Sequence, residues 1–155
     1  FELYHENQEV LKDMSGLLQE AKHEFDISGD EFLGFIDAIP CSVFSSGLSP
    51  LESVVSYLAK KGYSVSDISK ILNRKNKTIW ATLYNASRKD FRPTKQESIM
   101  IPIGVVSDRR LSILEGVCIY LKEKRKKSLT DISRLLGKSR NTIWTTYKRG
   151  MIKLE

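Results

Sequence analysis

Four side chains near the end of the chain, Asn141, Thr145, Lys148 and Arg149, gather on one side of a helix advancing about 100° per residue, with Thr142 at its border. Ile143, Tyr147 and Gly150 fall on the other side and are expected to pack inward. The outward set is small, polar and basic, and it contains no acid. Its chemistry is hydrogen bonding and charge neutralisation rather than bond making. An Asn amide can bond adenine at two places, and a Thr or Ala methyl can touch a thymine methyl. Lys77, Ala81, Tyr84 and Asn85, with Thr78 at the border, repeat the spacing earlier in the chain. Lys75, Asn76, Ser139 and Arg140 stand where these helices begin, and free amides with a positive dipole end favour a phosphate there. These four are read as positioning residues, the others as readers of base edges. The pattern predicts a surface for the major groove of double-stranded DNA, with a preference for A·T-containing sites.

Catalytic and metal chemistry find less support. Cys41 and Cys118 are the only cysteines and His5 and His23 the only histidines, and none has a paired ligand spacing. A zinc site needs about four clustered ligands. No metal, cofactor or enzyme activity is expected, and the cysteines read as small buried residues of a reducing cytoplasm. No signal peptide is expected at the start, and no uncharged apolar run approaches the roughly 20 residues that span a bilayer.

Charge is unevenly divided. Residues 1–47 hold ten acids and two bases, a net of −8, whereas residues 48–155 carry a net of +14. The basic part suggests a polyanion partner, although a solvated surface would have the same composition.

The elements that position the polar sets come from an internal repeat. Leu48, Ser49, Leu51, Glu52, Val54, Tyr57 and Leu58 match Leu111, Ser112, Leu114, Glu115, Val117, Tyr120 and Leu121 at an offset of 63. One inserted residue later the offset is 64. Asp67, Ile68, Ser69, Leu72, Thr78, Ile79, Trp80 and Thr82 then match Asp131, Ile132, Ser133, Leu136, Thr142, Ile143, Trp144 and Thr146. Upstream, the Ile39-Pro40 lead-in ending at Val43 answers Ile101-Pro102 and Val105.

Each copy reads as three helices. Ser49 or Ser112 opens the first, with Glu52 or Glu115 at the capping-box position. Ser64 or Ser128 opens the second, followed by Asp67 or Asp131. Asn73 or Gly137 then supplies a residue able to turn left-handed, and a third helix follows within two residues, capped by Ser139 in the second copy. Residues 128–150 closely resemble the DNA-reading segment of sigma-factor region 4 and of LuxR-type regulators, on Ile132, Leu136-Gly137, Ser139 and Ile143. The first copy departs where Asn73 replaces Gly and Lys75 replaces the capping Ser. The doubled T-I-W-x-T and the I-P-x-x-V lead-in also resemble small tandem-repeat regulators of archaea. These resemblances imply helix-turn-helix units with the third helix as reader. If only one unit reads bases, the second is favoured on motif quality.

Trp80 and Trp144 lie about a quarter-turn from the inward side and are expected to wedge against a neighbouring helix rather than insert between bases. Tyr57 and Tyr120 are expected in the core or at its rim. The basic run from Lys122 to Lys127 spans a helix end and a loop, as a solvated charge cluster or a grip on phosphates. In the acidic segment, Leu3, Val10, Leu11, Met14, Leu17, Leu18, Ala21 and Phe25 form an apolar stripe at helical spacing. It suits either dimerisation or packing on the first unit. Asp30 is expected to cap a second short helix through Ile36.

The expectation is therefore an all-α fold: an N-terminal amphipathic helix followed by two tandem three-helix helix-turn-helix units. The divisions are an acidic segment at 1–47, a first unit at 48–89, a linker with its I-P lead-in at 90–110 and a second unit at 111–155. The expected protein is a cytoplasmic, nucleoid-associated, sequence-specific transcription regulator. Its partners would be double-stranded DNA, a second copy through the N-terminal helix, or a transcription-machinery protein, with no membrane. The alternatives are the DNA-recognition part of a transposase or recombinase, a nonspecific nucleic-acid binder and a polymerase-interacting protein.

Overall fold

Serine caps set where the helices start. In the computed structural model, which describes residues 16, 17, 20, 38–90, 92 and 99–155, helix α1 (Pro50–Lys60) begins after Ser49. The Ser49 side chain accepts from the Glu52 amide and the Glu52 carboxylate accepts from the Ser49 amide. Pro50 occupies the first turn, where a missing N–H costs nothing. Helix α2 (Val65–Ile71) has the same reciprocal box between Ser64 and Asp67. Asn73 then turns left-handed at φ 52°, and α3 (Asn76–Ser87) starts at Lys75 with no side-chain cap.

The second copy follows the same plan. Strand β1 (Ile39–Pro40) and a 3-10 turn (Cys41–Ser45) lead into the first copy. Strand β2 (Met100–Ile101) and α4 (Ile103–Ser107) lead into the second. Helix α5 (Ile113–Ile119) opens with a full Ser112–Glu115 box. Helix α6 (Leu129–Leu136) starts at Ser128 and ends on Gly137 at φ 62°. Helix α7 (Arg140–Leu154) is capped by Ser139, whose side chain accepts from the Thr142 amide.

The one-residue shift between the copies has a structural home. α5 continues into a π turn at Tyr120–Lys124, where Arg125 N–H reaches back to the Tyr120 carbonyl. In the first copy Tyr63 N–H bonds Leu58; in the second Lys127 N–H bonds Leu121, one residue further back. A π turn holds one more residue than the α-helix it interrupts, so the insertion is absorbed without moving the next helix start. Downstream, Lys126 takes φ 52° where the first copy has Gly62 at φ 97°.

The residues shared by the copies form the core. Ile68, Leu72 and Ile79 are fully buried, as are Ile132, Leu136 and Ile143. Each such side chain contributes about 1.5–3 kcal/mol on burial. In each copy the third helix packs on the first and second. The two cores are one: a single cluster joins Ile39 and Phe44, Val54 and Leu58, Ile101, and Val117 and Leu121.

The described part is mostly helical, with one short sheet beyond the expected helices: β1 and β2 pair antiparallel, Ile39 opposite Ile101 and Pro40 opposite Met100. The chain divides into two compact units, residues 1–37 and 38–155. Residues 38–47, grouped by sequence with the acidic segment, thus lie with the repeats. Residues 99–107, expected in a linker, form β2 and α4, and Ile101 and Val106 are buried. The apolar stripe of residues 3–25 and the Asp30 cap lie outside the described residues, except that Gly16, Leu17 and Glu20 are helical. Most of the linker around Pro93 also lies outside them. Among the described residues, no helix is long and apolar enough to cross a membrane.

Candidate nucleic-acid interface

The two polar sets emerge on α3 and α7. Lys75, Asn76, Lys77, Thr78, Ala81, Tyr84 and Asn85 are all exposed, as are Ser139, Arg140, Asn141, Thr142, Thr145, Lys148 and Arg149. Neither helix contains an acidic residue. The opposite side of each is held down: Ile79, Thr82 and Ala86 in α3; Ile143, Thr146 and Gly150 in α7. Gly150 is needed for this approach, because a Cβ there would lie 2.8 Å from Ile119 Cδ1 and 3.1 Å from Glu115 Cβ. Tyr147 is half-buried, its hydroxyl donating to Glu123.

The turns that aim α3 and α7 are closed alike. Ser69 Oγ donates to the Arg74 carbonyl and Ser133 Oγ to the Lys138 carbonyl. These serines match in the repeat, at positions 69 and 133. At the mouth of α7, Ser139 Oγ and Thr142 Oγ1 lie 2.8 Å apart. The two hydroxyls therefore hold each other as well as the cap, so they fix the helix entrance before they contact any ligand.

In each copy a half-exposed lysine clamps the buried glutamate of the first helix, from just past the end of α3 in the first copy and from the last turn of α7 in the second. Lys89 Nζ reaches both Glu52 oxygens at 3.1 Å. Lys153 Nζ reaches both Glu115 oxygens at 3.0 and 2.9 Å. Burial pushes the Glu115 carboxyl up, but the Lys153 ammonium and the Ser112 amide more than offset this and hold it below its usual range. At Glu52 burial likewise raises, and Ser49 with Lys89 lowers further. From sequence both glutamates are legible only as caps. The recurrence of Glu and Lys in register was the missed signal.

Trp80 and Trp144 do not wedge against a neighbouring helix. They are 63% and 42% exposed. Trp80 stacks on Tyr84 with ring centres 5.9 Å apart, and Trp144 on Tyr147 at 6.0 Å. Lys148 Nζ lies 4.9 Å from the Trp144 ring centre, so a cation covers an aromatic face beside the exposed polar set. Leu129, Arg140, Asn141 and Trp144 border a shallow cleft there. Tyr57 and Tyr120 are half-buried, at the rim of the core.

Lys124, Arg125 and Lys126 are exposed at the end of the π turn and just beyond it. The Arg74 guanidinium is pushed down, first by burial and then by Arg109 beside it, and its Nε has no hydrogen-bond partner. Cys41 and Cys118 are buried, and burial raises the Cys118 thiol to about 12, which keeps it protonated and unreactive. Among the described residues no group of three or more His, Cys, Asp or Glu could hold a metal. Comparison with protein-family models, curated proteins and solved structures finds no match to this chain.

Proposed function

We propose that the protein is a sequence-specific binder of double-stranded DNA and a transcription regulator, reading the major groove with α3 and α7. One observation carries the reading: two equivalent helices, each following a tight turn, present exposed polar and basic faces without a single acid. On this reading α2 with α3, and α6 with α7, are helix-turn-helix units, and the likeness of residues 128–150 to sigma-factor region 4 and LuxR-type readers supports it. Asn141 and Thr145 address base edges; Arg140, Lys148 and Arg149 address phosphates and the groove rim.

Site selection from randomised duplexes tests this, followed by affinity against salt. A slope of about −0.9 per neutralised phosphate is expected in log–log form. Asn141→Ala with Thr145→Ala relaxes base preference, whereas Arg140→Ala weakens all sequences alike. Selected sites contain A·T pairs opposite Asn141. Binding without any sequence preference would refute the reading. The exposed Trp80–Tyr84 stack favours one other reading, a platform for single-stranded bases. Single strands that compete better than the selected duplex would establish that one instead.

A further inference from the structure

We propose that the two repeats form a dimer within one chain, related by an internal two-fold axis, and that its duplex carries two inverted half-sites of unequal sequence. The inference rests on the DNA-binding reading of α3 and α7 and goes further by fixing the polarity of the site. The register of the small sheet carries it. Ile39 and Ile101 hold the same place in the two I-P lead-ins, and they are cross-strand partners. In an antiparallel pair a local two-fold axis runs between any two directly opposed residues. Here the opposed residues are equivalent, so that axis carries the start of one repeat onto the start of the other. Repeats related by translation would not pair equivalent positions antiparallel.

Other contacts follow the same axis. α1 packs against α5, its own equivalent, as elements do across a two-fold interface. The 3-10 turn of the first repeat crosses to pack on α6 of the second. Its Ser45 Cβ lies only 3.1 Å from where a Cβ on Gly137 would stand. The second unit is thus braced by the first unit's lead-in. In the other direction Arg109, which follows α4 of the second repeat, lies near enough to Arg74 at the turn of the first for their like charges to repel.

Two readers related by a two-fold axis meet a duplex with opposite strand polarity, so their half-sites are inverted. A homodimer would require identical half-sites. This chain presents Lys77, Ala81, Tyr84 and Asn85 to one and Asn141, Thr145, Lys148 and Arg149 to the other. The site is a quasi-palindrome with one chain bound.

The test is site selection with the full chain and with a variant carrying Lys77→Asn, Ala81→Thr, Tyr84→Lys and Asn85→Arg. All four positions are exposed, and retained circular dichroism checks that the variant folds. The natural chain selects inverted, dissimilar half-sites, and sedimentation finds one chain per duplex. The variant selects a symmetric inverted repeat built from the half-site of α7. The reverse exchange, Asn141→Lys, Thr145→Ala, Lys148→Tyr and Arg149→Asn, selects a different symmetric repeat. Direct repeats, a lone half-site unchanged by the first exchange, or two chains per duplex would overturn the internal two-fold while leaving DNA binding intact. If no duplex is enriched by the natural chain, both readings fall.

Discussion

Two kinds of side chain behave oppositely to what their chemistry first suggests. The tryptophans, large and apolar, stand in solvent; the capping glutamates, charged, lie inside. Trp80→Ala and Trp144→Ala should each change unfolding free energy by less than about 1 kcal/mol in urea titration, against ~3–5 kcal/mol for a buried aromatic. A loss of the larger size would mean the indoles are packed. Around Glu115 the order is reversed. Lys153→Met leaves a carboxylate that is 2% exposed without its cation, and it should cost about 2–4 kcal/mol. Glu115→Gln leaves an ammonium that is 44% exposed and open to water, so it should cost less, about 1–2 kcal/mol. Both glutamates titrate below their ordinary value of 4.5 when folded. Their contribution is therefore complete above about pH 4.5 and is lost as pH falls through the lower folded value. Acid titration of Glu115→Gln should show a smaller loss over that window than the natural chain; an equal loss would dismiss the buried pair as its source.

Among the elements, the turns before α3 and α7 are the most constrained. Gly137 combines φ 62° with Ser45 only 3.1 Å from a would-be Cβ. Gly137→Ala should cost about 1–2 kcal/mol, seen as a lowered denaturation midpoint. At Lys126 the strain runs the other way, since a side chain already sits at φ 52° where the first repeat uses glycine. Lys126→Gly should stabilise by about 0.5–1 kcal/mol, and a loss of stability there would mean that its side chain makes a compensating contact.

At the scale of the whole molecule, the repeats share one core and one sheet. Residues 38–155 should therefore unfold in a single transition. Ile101→Ala, at the centre of the sheet, should cost about 2–5 kcal/mol and lower the midpoint for both repeats together. Separate tryptophan fluorescence of Trp80 and Trp144, each with the other replaced by Phe, reads the two units independently. Two distinct midpoints would show that the units fold on their own.

Sequence alone determined the local level: the serine caps, the left-handed turns at Asn73 and Gly137, the buried Ile-Leu-Ile frame and the exposed faces of α3 and α7. These depend on neighbours within a few residues, and the repeat wrote each of them twice. Only the tertiary structure decided what depends on distant partners. It set the pairing of Ile39 with Ile101, the Glu–Lys clamps across 37 and 38 residues, and the open sides of the tryptophans. Helical periodicity assigns a side chain an angle, but burial at that angle depends on whether another helix lies there. The polar faces on α3 and α7 were legible as lists of residues; their relation to each other came from two residues of strand that the helical pattern did not announce.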